Sequence, residues 1–264
     1  VNVPLKKTTQ LAFIEKTFNT RPTKENFEIR EIISRENFPA DKNFMLFIQR
    51  LAFYYQIDEL SLIKRMRSFF STPTKQKDLA NFPYKEQKNN VVQLTQEQQN
   101  VFNFLQPLIQ KPKFVPTLLH GVTGSGKTEV YKKLITENIK NNKTVIFLVP
   151  EVTLAIQFEH IFRTSLCCDI EIIGFHSATA PAQKKKLWQS LLGRKPILIV
   201  GVHLPVLLPI PNLGLIIVDE EHEVGYQEKK HPKINSMQAA LIKAQISQIP
   251  VLLGSATPSF SSLY

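Results

Sequence analysis

The chain has 264 residues, 43% hydrophobic and 21% charged, a globular balance that excludes wholesale disorder. This length holds one large domain or two modest ones, and no apolar run is long enough to cross a membrane. Thirty-three basic against 22 acidic residues leave a net charge of +11, spread over both halves. Such a field attracts polyanions, or simply keeps a Lys-rich protein soluble.

In chain order, Val1–Glu36 reads as short strands and turns. The start at Val1, without Met and inside an expected strand, points to a chain lacking its natural beginning. Residues 39–70 carry helical periodicity. Phe44, Phe47, Ile48, Leu51, Ala52 and Tyr55 form one stripe, and a second helix is expected over Leu60–Phe69 with Lys64, Arg65 and Arg67 exposed. The Phe53-Tyr54-Tyr55 cluster reads as core packing. Residues 71–92 are polar, contain Pro73 and Pro83, and read as a linker.

Beyond it, apolar runs alternate with helical stretches. Val115–His120, Thr144–Val149, Ile170–Ile173, Ile197–Val200, Leu215–Val218 and Val251–Leu253 predict buried strands, with helices such as Glu129–Lys140 and Leu154–Thr164 between them. The expected fold is α/β, a P-loop parallel sheet with helices on both faces and ligands beyond the strands' carboxyl ends. Cys167 and Cys168 are adjacent, so neither a structural disulfide nor a zinc site is expected, and a reducing cytoplasm fits.

Gly121-Val122-Thr123-Gly124-Ser125-Gly126-Lys127-Thr128 fits GxxxxGK[ST] between an expected strand and helix. Glycines there let backbone N–H groups curl around phosphate at a helix N-terminus. Lys127 would reach the β- and γ-phosphates of ATP, and the Thr128 hydroxyl would bind Mg²⁺. Leu215–Val218 then runs into Asp219-Glu220-Glu221-His222. Acids at the end of a buried strand need a compensating cation. Asp219 stands where it would hold Mg²⁺, and Glu220 where it would orient and deprotonate an attacking water. His222 reads as a relay between nucleotide and DNA states, or as a satisfied loop histidine.

These motifs in order, with Leu148-Val149-Pro150-Glu151, Phe175-His176-Ser177 and Gly254-Ser255-Ala256-Thr257-Pro258, resemble a superfamily 2 helicase, and within it the replication-restart (primosomal protein N′) family. The resemblance implies a RecA-like first motor lobe at 93–264. It implies 3′ to 5′ stepping on single-stranded DNA and forks, with primosome and single-strand-binding proteins as partners and no membrane. By the same resemblance Gln98 would pair with adenine, or belong to a polar helix face. Pro150, Thr153 and Gln157, with His176 and Ser177, would lie on the DNA track, His176-Ser177 reading otherwise as a loop cap. Ser255 and Thr257 would couple the two sites, their hydroxyls sensing the acidic loop. Lys184-Lys185-Lys186 reads as a solvated helix face rather than a phosphate clamp.

More weakly, Val1–Leu5 and Leu51–Tyr55 resemble the family's domain that captures a 3′ DNA end, here at 1–70 and lacking its first strands. Residues 71–92 stand where the family has a winged helix. The resemblance also departs: Val202, His203 and Leu204 replace a threonine–arginine–serine loop, and Met237 and Gln238 an Arg-Asp pair. With the chain ending at Tyr264, the second lobe, its arginine finger and the zinc insertion are expected to be missing, and nucleotide turnover by this piece to be weak. Two other readings stay open: a fork-binding or primosome scaffold with a degenerate motor, and a P-loop kinase or transport ATPase.

Overall fold

The structure is a computed structural model that describes residues 2–5, 8–11, 31–35, 37–71, 93–166, 170–229 and 231–263. The expected linker (but for Ser71) and the Cys167-Cys168 pair lie outside these residues. The chain divides into two compact units, Val1–Phe38 and Pro39–Tyr264. In the first, β1 (Asn2–Leu5) pairs antiparallel with β2 (Thr8–Leu11). The rest of the reading made for this stretch falls largely outside the described residues.

The second unit is built on six parallel strands: β3 (Pro116–His120), β4 (Thr144–Leu148), β5 (Glu171–Phe175), β6 (Ile197–Gly201), β7 (Leu213–Val218) and β8 (Val251–Ser255). Their order is β3-β8-β7-β4-β6-β5. β4, β6, β7 and β8 are buried along their whole length, which is why they read as unbroken apolar runs rather than alternating ones. The RecA-like parallel sheet expected from the sequence is what forms.

On one face Val145, Phe147, Leu215, Ile217 and Leu252 pack against α3 (Gln96–Gln110), α4 (Lys127–Lys140) and α5 (Val152–Ser165). These helices contribute Phe102, Leu105, Val130, Leu134 and Phe162 to that core. Intervening strand residues such as Ile146 and Ile216 are equally buried and, by the strand period of two, point to the opposite face. α7 (Ser236–Ser247) packs on β7 and β8 with Ala239, Ala240 and Ala244 buried. α6 (Pro181–Leu192) contacts β5.

α1 (Phe44–Tyr55) and α2 (Glu59–Ser71) join this unit. The apolar stripe Phe44, Phe47, Ile48, Leu51 and Ala52 is buried as its spacing requires, and α1 lies on α7. Phe53 and Tyr54 point the other way, 74% and 58% exposed, so that cluster is not core: both fall off the buried stripe. At the end of α2, Phe70 stacks near Phe175 of β5 and Trp188 of α6, with centroids 5.3 and 5.0 Å away. The compact units part between Phe38 and Pro39, within the stretch 1–70.

Candidate functional site

A parallel sheet brings every strand's carboxyl end to one edge, and each motif follows a strand. The P-loop leaves β3, Pro150-Glu151 follows β4, His176-Ser177 follows β5, Val202-His203 follows β6, Asp219–His222 follows β7, and the 254–258 motif spans the end of β8. Gly121 N donates to Ser255 O at 3.1 Å, and Glu221 N to Gly254 O at 3.0 Å, so three of these loops are stitched together by backbone.

Within the P-loop, Gly124 and Gly126 have φ of 83° and 80°, a left-handed conformation that a Cβ would strain. The turn lets α4 begin at Lys127, directing its first N–H groups toward the loop. Lys127 Nζ donates to Gly121 O at 2.7 Å, folding the ammonium over the loop. One helical turn on, Tyr131 presents the same face of α4 and donates from its hydroxyl to Asp219 Oδ1 at 2.8 Å. P-loop and acid thus share one edge of the sheet. Asp219 is buried, and burial raises its pKa above the ordinary carboxylate value, only partly offset by Tyr131 and the Lys127 charge. A buried carboxylate beside a phosphate loop, with Thr128 one position past Lys127, is a donor set suited to Mg²⁺.

The other acids divide their roles. Glu220 has a φ of 49°, an unusual left-handed backbone for a non-glycine residue and of a kind associated with active sites. Glu221 accepts from Ser259 N at 2.8 Å, Ser259 Oγ at 3.1 Å and Ser262 Oγ at 2.8 Å, and so anchors the chain after β8. His222 Nδ1 lies 2.8 Å from Ser255 Oγ, joining the acidic loop to the motif after β8. Thr257 is exposed and meets Ser255 only through its N–H, at 3.1 Å; its hydroxyl does not reach the acids. Tyr226 donates its hydroxyl to Leu148 O at 3.1 Å and also contacts Asp219 O, fixing the backbone that carries Asp219.

Gln98 comes to the P-loop by a route other than the one expected. Its Oε1 accepts from Thr95 N at 2.9 Å and its Nε2 donates to Ser125 O at 2.9 Å. Thr95-Gln96-Glu97-Gln98 is a capping box that also braces the phosphate loop, and its T-x-x-Q spacing is the signal that marks it. Tyr131 closes the phosphate-loop stretch Gly121–Tyr131 that carries the family resemblance, but the sequence assigned it no role.

Beside these loops lies a groove of about 690 Å³. Pro150, His176, Ser177 and His203 line it, together with Arg65 of α2. Ser177 is exposed. His176 is buried, its Nδ1 accepting from Ala178 N at 3.3 Å, which supports its role as a loop cap. Thr153 and Gln157 sit exposed on one face of the first turns of α5, outside the groove lining. His203 turns to Ser236 Oγ at 3.1 Å, and burial with the nearby Arg65 charge lowers its pKa to about 4. Met237 and Gln238 form the first turn of α7, capped by Asn235.

Two expectations about cations are corrected here. Lys184 is buried, its Nζ donating to Phe69 O at 2.9 Å and lying 4.2 Å from the Phe69 ring, because α2 packs over α6; Lys185 and Lys186 remain exposed. Arg65 and Arg67 are half-buried, Arg65 against Glu228 and Pro232 O, while Lys64 is exposed.

Residues 84–264 match the DEAD/DEAH box helicase family. The replication restart protein PriA of Helicobacter pylori strain J99 is 33% identical over 264 residues, covering 99% of this chain and 39% of that protein. PriA of Bacillus subtilis is 34% identical over 183 residues, 68% of this chain and 22% of that one. PriA of Synechocystis is 40% identical over 147 residues, 55% and 17% respectively. The chain thus spans about two-fifths or less of the length of these relatives. With its phosphate loop and acidic motif brought to one edge of the sheet, the chain belongs to the DEAD/DEAH box helicase family.

Proposed function

We propose that this chain is the ATP-binding motor lobe of a replication-restart DNA helicase, an ATP-driven enzyme moving 3′ to 5′ on single-stranded DNA. The observation that carries the reading is the link from the phosphate loop through Lys127 and Tyr131 to Asp219, with the groove beside it on the same edge. Lys127 would hold the β- and γ-phosphates, Thr128 and Asp219 would hold Mg²⁺, and Glu220 would take the proton of the attacking water. Mg²⁺ supplies charge neutralisation at the phosphates. The contact of His222 with Ser255 would carry the state of the nucleotide site to the loops of the DNA track, where Pro150, Thr153, Gln157, His176 and Ser177 are the candidate contacts. Similarity to replication restart proteins supports forks as the substrate, primosome and single-strand-binding proteins as partners, and a cytoplasmic setting; no described helix is long and apolar enough to cross a membrane.

The test is Mg²⁺-dependent binding of a fluorescent ATP analogue, with and without oligothymidylate. Coupling between the two ligands supports the reading. Nucleotide binding that ignores Mg²⁺ and DNA alike contradicts it.

A further inference from the structure

We propose that Arg65, carried by α2 rather than by a motor motif, is a phosphate-binding residue of the groove and that Glu228 restrains it until a strand arrives. The proposal rests on the reading of this groove as a DNA track and names a residue in it that neither the motifs nor the resemblance supplied.

Arg65 lines the groove together with the loops after β4, β5 and β6. Its Nη2 lies 2.6 Å from Glu228 Oε2, and its Nη1 donates to Pro232 O at 3.3 Å. Glu228 is 5% exposed and the Arg65 side chain 28%, so the carboxylate is sunk in the wall while the arginine side chain stays partly open and lines the groove. A guanidinium has five N–H donors in a planar fork, so these contacts leave donor capacity for a phosphodiester.

The groove needs such a cation. Glu151, Glu223 and Glu228 all line it. Glu151 accepts from Thr153 Oγ1 at 3.2 Å and Glu223 lies 3.6 Å from His222 Nε2, so both have partners of their own. His203 adds no positive charge at neutral pH, because burial and Arg65 keep it unprotonated. Among the described residues, Arg65 and Lys229 are left as the permanent cations of the lining. Arg65 is also firmly placed: one turn further along α2, Phe69 stacks on Phe175 with centroids 4.5 Å apart and takes the Lys184 ammonium on its carbonyl.

A carboxylate touching the guanidinium cancels its charge and repels a phosphate. An amide in that place keeps a hydrogen-bonding group and removes the repulsion. The two partners should therefore respond with opposite signs. The test is fluorescence anisotropy of a labelled oligothymidylate with the full 264-residue chain across a KCl titration. Arg65→Gln should weaken binding about tenfold and reduce the salt slope by about 0.7, while Arg65→Lys retains the slope. Glu228→Gln should tighten binding about threefold. Equal losses in Arg65→Gln and Glu228→Gln, or an unchanged slope in Arg65→Gln, would reduce the pair to a structural tie and overturn the proposal. Ser177→Asp separates the two levels. If it weakens binding while Arg65→Gln does not, only the proposal falls. If neither matters, the groove reading falls with it.

Discussion

The Tyr131 hydroxyl reaches Asp219 Oδ1 at 2.8 Å because residue 254 has no side chain: a Cβ on Gly254 would stand 1.8 Å from the Tyr131 oxygen and 3.1 Å from Asp219 Oδ1. Three motifs, distant in sequence, are thus interlocked around one carboxylate. Tyr131→Phe removes the donor and leaves a buried acid less well held, a loss of about 1–2 kcal/mol. Half-saturation by Mg²⁺ in nucleotide binding should rise about tenfold, with nucleotide affinity in saturating Mg²⁺ nearly unchanged. Gly254→Ala should act in the same direction and more strongly, since it displaces the ring. Normal Mg²⁺ dependence in both variants would show that the contact is incidental.

Trp188 is the chain's only tryptophan and sits 5.0 Å from Phe70, so it reports whether α2 is docked. Phe70→Ala should shift its emission to the red and lower unfolding stability by about 1–3 kcal/mol in urea titration, the lower end being set by the partial exposure of Phe70. An unchanged spectrum would mean that α2 does not rest on α6 in solution.

The strands and phosphate loop were legible because buried parallel strands leave apolar runs and the loop requires glycine at fixed places. The docking of α1 and α2 was not. An amphipathic stripe such as Phe44–Ala52 says that a face is buried without saying against what, and its partner α7 lies nearly 200 residues away. Lys184 shows the same limit: a run of three lysines reads as solvated until a carbonyl 115 residues distant in the chain accepts from one of them. Gln98 was singled out for adenine pairing, and its brace on the phosphate loop went unread, since its place in the first turn of α3 also carries the capping-box pattern.

Gln98→Ala should cost about 1 kcal/mol by opening the capping box, and should also loosen the phosphate loop through Ser125 O. Thermal unfolding reads the first effect. Faster amide exchange at residues 121–126 reads the second. Exchange equal to that of the unsubstituted chain would show that the brace is dispensable.

Lys243 is buried between α7 and α1, its Nζ donating to Leu208 O at 2.7 Å and lying 4.4 Å from the Phe47 ring. Burial lowers its pKa from 10.5 to about 8, against the attraction of Asp41. Between those values the unfolded chain holds a proton that the folded chain has released. Stability should therefore rise with pH across that window, by up to about 3 kcal/mol relative to Lys243→Met, and show no pH dependence from this group below pH 8. Urea midpoints of the two proteins at stepped pH check the sign. Parallel curves would place the ammonium in a better-solvated setting.

The most direct measurement is the equilibrium affinity of a fluorescent ATP analogue, with Mg²⁺ present and withheld, for the chain and for Lys127→Ala and Asp219→Asn. The account predicts Mg²⁺-dependent binding that Lys127→Ala abolishes and that Asp219→Asn frees from its dependence on the metal. Binding by Lys127→Ala equal to that of the unsubstituted chain would contradict it.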